Sequence, residues 1–291
     1  MLATGRDAED DDRDRGRQCR AAGACDVRGR NATFHGSGRS RVLHGATLTA
    51  PGDGAAARLL YYRGVSVLAL IPARGGSKGI ARKNLQLVGG VPLVGIAAAT
   101  AAASVVERVI VSTDDDEIAG AARGYGAETP FMRPTELAAD DVDDFDVLEH
   151  ALGWLDREEA YRPEIVVWLR PTSPLRAPAD VDAAVAILRD TGADGVRSVC
   201  LAEHHPYWMK RLEGDRLLPF SSEGDDRTHR RRQQLPPVYR LTGAVDVLRA
   251  ASVLEAGAMF AGDVRAYVMP PERSVEVDTP LDLVVAQSLA R

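Results

Sequence analysis

The chain has 291 residues, 45% of them hydrophobic and 27% charged, with 36 basic against 42 acidic side chains for a formal charge of −6. That length bounds it to one large or two small domains, and the ordinary composition excludes collagen-like, mucin-like and wholly disordered classes. A net negative charge excludes a global basic field for nucleic acid or an anionic membrane, so any bound anion must be held by a local site.

Residues 1 to about 63 hold eleven Arg and eight Asp or Glu among scattered Gly and Ala, with no helical or strand periodicity longer than a few residues. They read as an extension unable to fold alone, either a disordered arm or sequence translated upstream of a native start near Val65. From Val65 the texture changes, and Val67–Ile71 has the length and unbroken apolarity of a buried parallel strand. An alternation follows: a helix over Pro92–Ser104, a strand over Arg108–Ser112, a helix over Asp115–Arg123 and a short strand over Glu128–Phe131. Next come a helix over Asp144–Glu159, with Val147, Leu148, Leu152 and Leu155 on one face, and a strand over Ile165–Leu169. A helix over Ala179–Arg189 and a strand over Gly195–Val199 complete this half. From about 202 to 241 a stretch rich in His, Pro and Arg breaks the pattern and reads as an arm leaving the sheet. Strands over Gly243–Leu248 and Arg265–Met269 and a helix over Pro280–Leu289 close the chain. The pattern predicts an α/β domain over residues 64–291, with a mostly parallel sheet and chemistry at the carboxyl ends of its strands.

No apolar run approaches the roughly 20 residues needed to span a bilayer, and the first residues lack an apolar signal-peptide core. Both points indicate a cytoplasmic protein. Cys19, Cys25 and Cys200 are an odd count and support neither a disulfide framework nor a four-ligand zinc site.

The chemistry concentrates after the first strand, in Arg74-Gly75-Gly76-Ser77-Lys78-Gly79-Ile80-Ala81-Arg82-Lys83-Asn84. Glycines let the backbone pass close to a ligand, and exposed N–H groups make an anion nest that Arg74, Lys78 and Lys83 complete. Only three basic residues in the chain are lysines, and two of them stand in this loop, so a compact ammonium is wanted there. The loop suits a polyphosphate. It is neither a Walker A loop nor a dinucleotide-binding Gly-x-Gly-x-x-Gly fingerprint. Near the other end, Asp278 precedes Thr-Pro-Leu and could cap the last helix. His204 and His205 have no further His or Cys at ligand spacing, so zinc is discounted. The arginines at 227–232 lack interleaved aromatics and read as a solvated arm or a subunit contact. The acidic run from Asp140 to Asp146 reads as a helix N-terminus facing water.

Ile71-Pro-Ala-Arg-Gly-Gly-Ser-Lys-Gly-Ile80 with Lys83-Asn84 resembles the opening motif of the acylneuraminate cytidylyltransferases, or CMP-sialic acid synthetases. Further similar segments follow in family order: Val111-Ser-Thr-Asp114, Arg133-Pro-Thr-Glu-Leu-Ala138, Pro171-Thr-Ser-Pro-Leu-Arg176, Glu203-His-His-Pro206, Arg232-Gln-Gln-Leu-Pro236 and Asp278-Thr-Pro-Leu-Asp-Leu283. The likeness implies a Rossmann-like nucleotidyltransferase with a small dimerisation arm. Its implied reaction is Mg²⁺-dependent transfer of CMP from CTP to the anomeric hydroxyl of a sialic-acid-like nonulosonic acid, releasing pyrophosphate. Arg74, Lys83 and Asp278 are the implied catalytic residues. Gly75, Gly76, Ser77 and Lys78 would join Arg74 and Lys83 around the triphosphate, with Asn84 and Arg133 near cytosine and ribose. Asp278 and Glu276 would hold the metal, Glu276 departing from the family's usual Asp.

For the sugar acid the resemblance implies Arg170, Thr172 and Ser173, with Arg232, Gln233 and Tyr239 reaching it from the partner of a homodimer. Arg170 stands where the family commonly has Gln and would grip a carboxylate, or else pair with an acid beneath the loop. Thr242 likewise replaces a frequent Asn. Two alternatives remain: activation of Kdo or another acidic sugar, and a non-catalytic nucleotide-binding homologue. No nucleic-acid or membrane partner is expected.

Overall fold

The side chains of β1 (Val67–Pro72) divide by the strand's pleat. Val67, Ala69 and Ile71 enter one apolar core, and Leu68 and Leu70 enter another. An unbroken apolar run is what a strand covered on both faces requires. The computed structural model describes residues 64–222 and 231–290; the extension expected at 1–63 and the arginines at 227 and 230 lie outside the described residues.

A small hairpin, β2 (Leu87–Val88) and β3 (Val91–Pro92), leads into α1 (Leu93–Ala102), then β4 (Arg108–Ser112), α2 (Asp116–Arg123), α3 (Asp144–Glu159) and β5 (Ile165–Trp168). The chain continues through α4 (Pro178–Thr191), β6 (Gly195–Leu201), a second hairpin of β7 (Lys210–Glu213) and β8 (Arg216–Pro219), and β9 (Tyr239–Arg249). It ends with α5 (Ala250–Ala256), β10 (Val264–Val268) and α6 (Pro280–Leu289). The main sheet has six strands in the order β10-β6-β9-β5-β1-β4. Strand β1 is parallel to both neighbours and β10 is parallel to β6, while β9 runs antiparallel to β5 and β6. The sheet is therefore mostly parallel, as the alternation predicts.

Helices α1, α2 and α4 cover one face through Val94, Ala98, Ile118, Val181, Val185 and Leu188. Helix α3 covers the other through Val147, Leu148, Leu152 and Leu155, with α5 beside it. Each large aliphatic side chain so enclosed contributes about 1.5–3 kcal/mol relative to exposure, and the alanines of α1 let that helix lie close to the sheet. No helix among the described residues is long and apolar enough to cross a membrane.

Four elements differ from the sequence reading. The strand expected at Glu128–Phe131 is a single bridge between Ile110 and Glu128, because Pro130 has no N–H to continue the ladder. Strand β9 begins at Tyr239, inside the stretch assigned to the arm, and it is interrupted by a register shift opposite Arg197 and Val199. Gly243 adopts φ +60° there, a conformation a side chain rarely takes. Helix α5 has only seven residues and the first hairpin only two per strand, too few to show a period. The second hairpin forms its own two-stranded sheet, so this arm leaves the main sheet as expected.

Three adjacent parallel strands position the chemistry. The carboxyl ends of β5, β1 and β4 lead to Arg170, to the loop from Arg74 and to Asp114, all on one edge of the sheet. Strand β9, running the other way, sets Asp246 opposite Trp168 and so beside Arg170.

Candidate active site

The glycine-rich loop is stapled at several points. Ala73 N donates to Ser112 O at 3.0 Å and Gly75 N to Asp114 Oδ1 at 2.9 Å. The Asn84 side-chain amide closes the loop by donating to Arg74 O at 2.9 Å. Between these points Arg82 turns the chain at φ +51°, and its guanidinium pairs with Asp115 and with Glu117 at the N-terminus of α2. Asp115 also caps α2, accepting from Glu117 N and Ile118 N. Its pKa is drawn below the usual aspartate range, chiefly by the hydrogen bond from Arg82, against the opposing effect of burial.

The facing wall is the segment Glu276-Val277-Asp278. Val277 is buried with Val88, Leu93 and Ala286, and its N–H donates to Thr172 O at 2.7 Å. On an extended segment this inward residue leaves its two neighbours pointing the opposite way. Lys83 Nζ lies 2.9 Å from Asp278 Oδ1, and a Cβ at Gly79 would stand 2.5 Å from the Asp278 carbonyl oxygen. The two walls thus touch. Helix α6 is capped by Thr279, whose Oγ1 accepts from Asp282 N, so the alternative role of Asp278 as that helix's cap is not the one observed. Glu276 has no hydrogen-bond partner among the described residues; burial, then the charge of Asp278, raises its pKa.

Between the walls lies a cleft of about 450 Å³. The structure brings Arg74, Ser77, Lys78, Lys83, Asn84 and Arg133 to its lining, together with Arg170, Thr172, Glu276 and Asp278. Gly75 and Gly76 form the turn behind and do not line it. Ser173 is buried outside the lining, its Oγ 3.5 Å from Thr242 O. Arg232 and Gln233 line a smaller cleft of about 240 Å³ against the arm, and Tyr239 is exposed at the start of β9. Within one chain these three are not brought to the first cleft.

Several side chains have fuller hydrogen bonding than sequence reasoning supposed. Arg133 is buried and donates from Nε to Ser112 Oγ at 3.0 Å and from Nη2 to Ser112 O at 2.6 Å. Burial pulls it down to about 10, with the charge of Asp114 opposing. Arg170 bridges two carboxylates, pairing with Asp144 and, at 2.7 Å, with Asp246. Burial opposes its charge, but those two acids outweigh burial and raise its pKa. Thr242 does not face the cleft: it is buried, with its Oγ1 donating to Ser198 Oγ at 2.7 Å. The acidic run is only partly a solvated helix start. Asp143 caps α3, while Asp140 pairs with Arg74 and Lys78. His205 is structural, its Nδ1 accepting from Tyr207 N and its Nε2 contacting Pro236 O. Cys200 is a buried free thiol.

Sequence reasoning assigned no role to Asp246 or Arg176. Asp246 is 1% exposed, and its signal was available: an acid inside the apolar run Gly243–Leu248 must find a buried cation. Arg176 is also buried and donates from Nη1 to Ala244 O at 2.6 Å, with Nε and Nη2 unpartnered. Burial, and then the charge of Arg170, lowers its pKa, although a guanidinium stays charged at neutral pH.

Among the described residues no cluster of three or more His, Cys, Asp and Glu could hold a metal by itself. Two carboxylates facing a cationic loop across one cleft nevertheless suit Mg²⁺, which is commonly held by one or two acids plus substrate phosphate and water. Glu276, with no hydrogen-bond partner among the described residues, and Asp278 are the residues that would hold such an ion.

A family model described as cytidylyltransferase matches residues 68–212. The chain is 29% identical over 225 residues to a CMP-N,N'-diacetyllegionaminic acid synthase of Legionella pneumophila, a match covering 77% of this chain and 95% of that protein. It is 32% identical to N-acylneuraminate cytidylyltransferase B of Danio rerio over 75% of this chain, and spans 50% of that longer protein. Among solved structures, a CMP:2-keto-3-deoxy-manno-octonic acid synthetase complexed with CTP superposes with TM-score 0.55 at 19% identity, covering 77% of this chain and 98% of that one, which supports the Rossmann-like fold. The ordered motifs, the sheet and these relatives agree: the chain belongs to the cytidylyltransferase family, alongside the acylneuraminate cytidylyltransferases.

Proposed function

We propose that the protein transfers CMP from CTP to the anomeric hydroxyl of a nonulosonic acid, releasing pyrophosphate. The observation that carries this reading is the meeting of the two walls, where Lys83 of the glycine loop contacts Asp278 of the acidic segment across one cleft. A nucleotidyl transfer needs cations on the departing diphosphate, a counter-charge at the α-phosphate and a fixed acceptor. Arg74, Lys78 and Lys83 supply the first, with the Ser77 hydroxyl beside them as a neutral donor. Glu276 and Asp278 would hold Mg²⁺, which when bound neutralises phosphate charge. Asn84 and Arg133 fix the backbone that shapes the nucleotide pocket, through Arg74 O and Ser112.

On the acceptor side, Thr172 lines the cleft, and its buried Oγ1 has no hydrogen-bond partner among the described residues. Arg170, committed to Asp144 and Asp246, sets the position of that wall and presents only its remaining donor edge. A homodimer completes the site in this reading, with Arg232, Gln233 and Tyr239 crossing to the partner's cleft. The apolar side chains Met209, Leu212, Leu217 and Phe220, all exposed on the arm, support such a contact, since exposed apolar clusters mark interaction surfaces. A cytoplasmic location suits a reaction that consumes CTP.

Pyrophosphate release measured with CTP, Mg²⁺ and a panel of nonulosonic acids, with Kdo and the other nucleoside triphosphates alongside, tests the reading. Turnover requiring both CTP and a nonulosonic acid is expected. Tight CTP binding with no turnover on any acid would instead make the protein a binding homologue, and a preference for Kdo would shorten the acceptor by one carbon.

A further inference from the structure

Two cations of the glycine loop, Arg74 and Lys78, already hold an anion supplied by the chain itself. Arg74 donates from Nη1 to Ala139 O at 2.8 Å and from Nη2 to Asp140 Oδ1 at 2.8 Å, and Lys78 pairs with the second Asp140 oxygen. One carboxylate therefore bridges two of the cations assigned to phosphate. The segment that carries it is held lightly. Upstream, the turn Thr135–Ala138 is tied down by Arg133, whose Nη1 reaches Leu137 O. Downstream, Val142 packs against the core beneath α3, and Asp143 caps that helix by accepting from Phe145 N at 2.8 Å. Between these anchors the N–H groups of residues 139–141 donate to no described residue, and the polar ties of the segment run through Arg74 and Lys78.

We propose that Asp140 is a place-holding anion: before nucleotide binds, its carboxylate occupies a phosphate position between Arg74 and Lys78, and the strap 139–141 withdraws as the triphosphate takes over both cations. This inference rests on reading the cleft as a CTP site. A carboxylate offers one charge and two oxygens, so a single inorganic phosphate gains little by displacing it. A triphosphate carries several charges and also spans to Lys83, which makes displacement favourable. The device keeps two neighbouring cations from repelling one another and selects against simple phosphate.

Calorimetric titration of the full chain and of Asp140→Asn with CTP, and separately with inorganic pyrophosphate and inorganic phosphate, tests this. Removing the competing charge is expected to tighten CTP and pyrophosphate by about threefold to tenfold, the scale on which an exposed ion pair competes, and to narrow the discrimination against phosphate. Unchanged or weaker binding by the variant overturns the proposal and makes Asp140 a bystander or an organiser of the nest. Asp140→Ser, which removes the charge with a shorter side chain, is the second variant should the first fold poorly, as judged by circular dichroism. Failure of the wild-type chain to bind CTP, with pyrophosphate still gaining from Asp140→Asn, would overturn the nucleotide reading and leave the place-holder standing.

Discussion

Lys83 Nζ and Asp278 Oδ1 lie 2.9 Å apart although 195 positions separate them in the chain. Their contact joins the loop after the first strand to the segment before the last helix, and in the proposed function it sets the cation that would meet phosphate beside a carboxylate that would hold the metal. Lys83→Ala is therefore expected to cut turnover by about ten- to a thousandfold, the scale of losing one transition-state contact. Far-UV circular dichroism should be unchanged, since Asp278 is solvent-facing and needs no partner to fold. Turnover equal to wild type would remove Lys83 from the site.

Gly79 faces the same junction from the other side. A methyl group there would stand 2.5 Å from the Asp278 carbonyl oxygen, far inside contact distance, so the loop or the acidic segment must move. Gly79→Ala should lose about 1–3 kcal/mol of stability through overpacking, with a larger fractional loss of turnover than Gly76→Ala, where the added Cβ meets nothing within 4 Å. Denaturant melts and steady-state kinetics on the pair check this; equal effects would mean the junction is not a constraint.

Arg170 divides its guanidinium between Asp144 and Asp246. Replacing it by Gln leaves the buried Asp246 with Arg197 Nε at 3.4 Å as its remaining cation. The expected cost is about 2 kcal/mol, the scale of leaving a buried charge poorly paired, and Arg170→Gln with Asp246→Asn should recover most of it. Preference among sugar acids should shift more than the apparent affinity for CTP, because the proposed function puts the bridged wall on the acceptor side. If preference is unmoved while stability falls, Arg170 is scaffold alone.

The Arg82–Asp115 pair gives a pH dependence of known sign. The folded Asp115 pKa lies below the ordinary value of 3.8, with the Arg82 hydrogen bond as the largest cause. The charged carboxylate is thus favoured in the fold. Its contribution is present above the unfolded value and is lost as pH falls through the lower folded one. Asp115→Asn keeps a competent helix cap and removes the charge, so its Tm should be lower than wild type at pH 7, with the gap closing as pH falls toward 3. A gap that is constant with pH would assign the effect to the cap instead.

The sequence made the frame of this site legible because its signals are local. Apolar runs over β1 and β5 and the closing helix at Pro280–Leu289 were readable from periodicity, and the 74–84 loop announced itself by glycines and two rare lysines. What stayed hidden depends on contacts between distant segments. Arg170 reads either as a ligand cation or as the partner of an acid beneath the loop until β9 brings Asp246 opposite Trp168 and decides for the acid, and Asp140 reads as a solvated acid until the glycine loop folds back onto it. Thr242 invites comparison with a substrate-facing Asn, yet the bulge at Gly243 turns it toward Ser198. Chemical identity was visible in the chain, whereas the pairing of charges required the topology.

The most direct measurement is a crystal structure of the protein with CTP and Mg²⁺. The account predicts the triphosphate between Arg74, Ser77 and Lys83, with the cation between phosphate and the Glu276–Asp278 pair. Nucleotide bound elsewhere, or a glycine loop making no phosphate contact at saturating CTP, would contradict it.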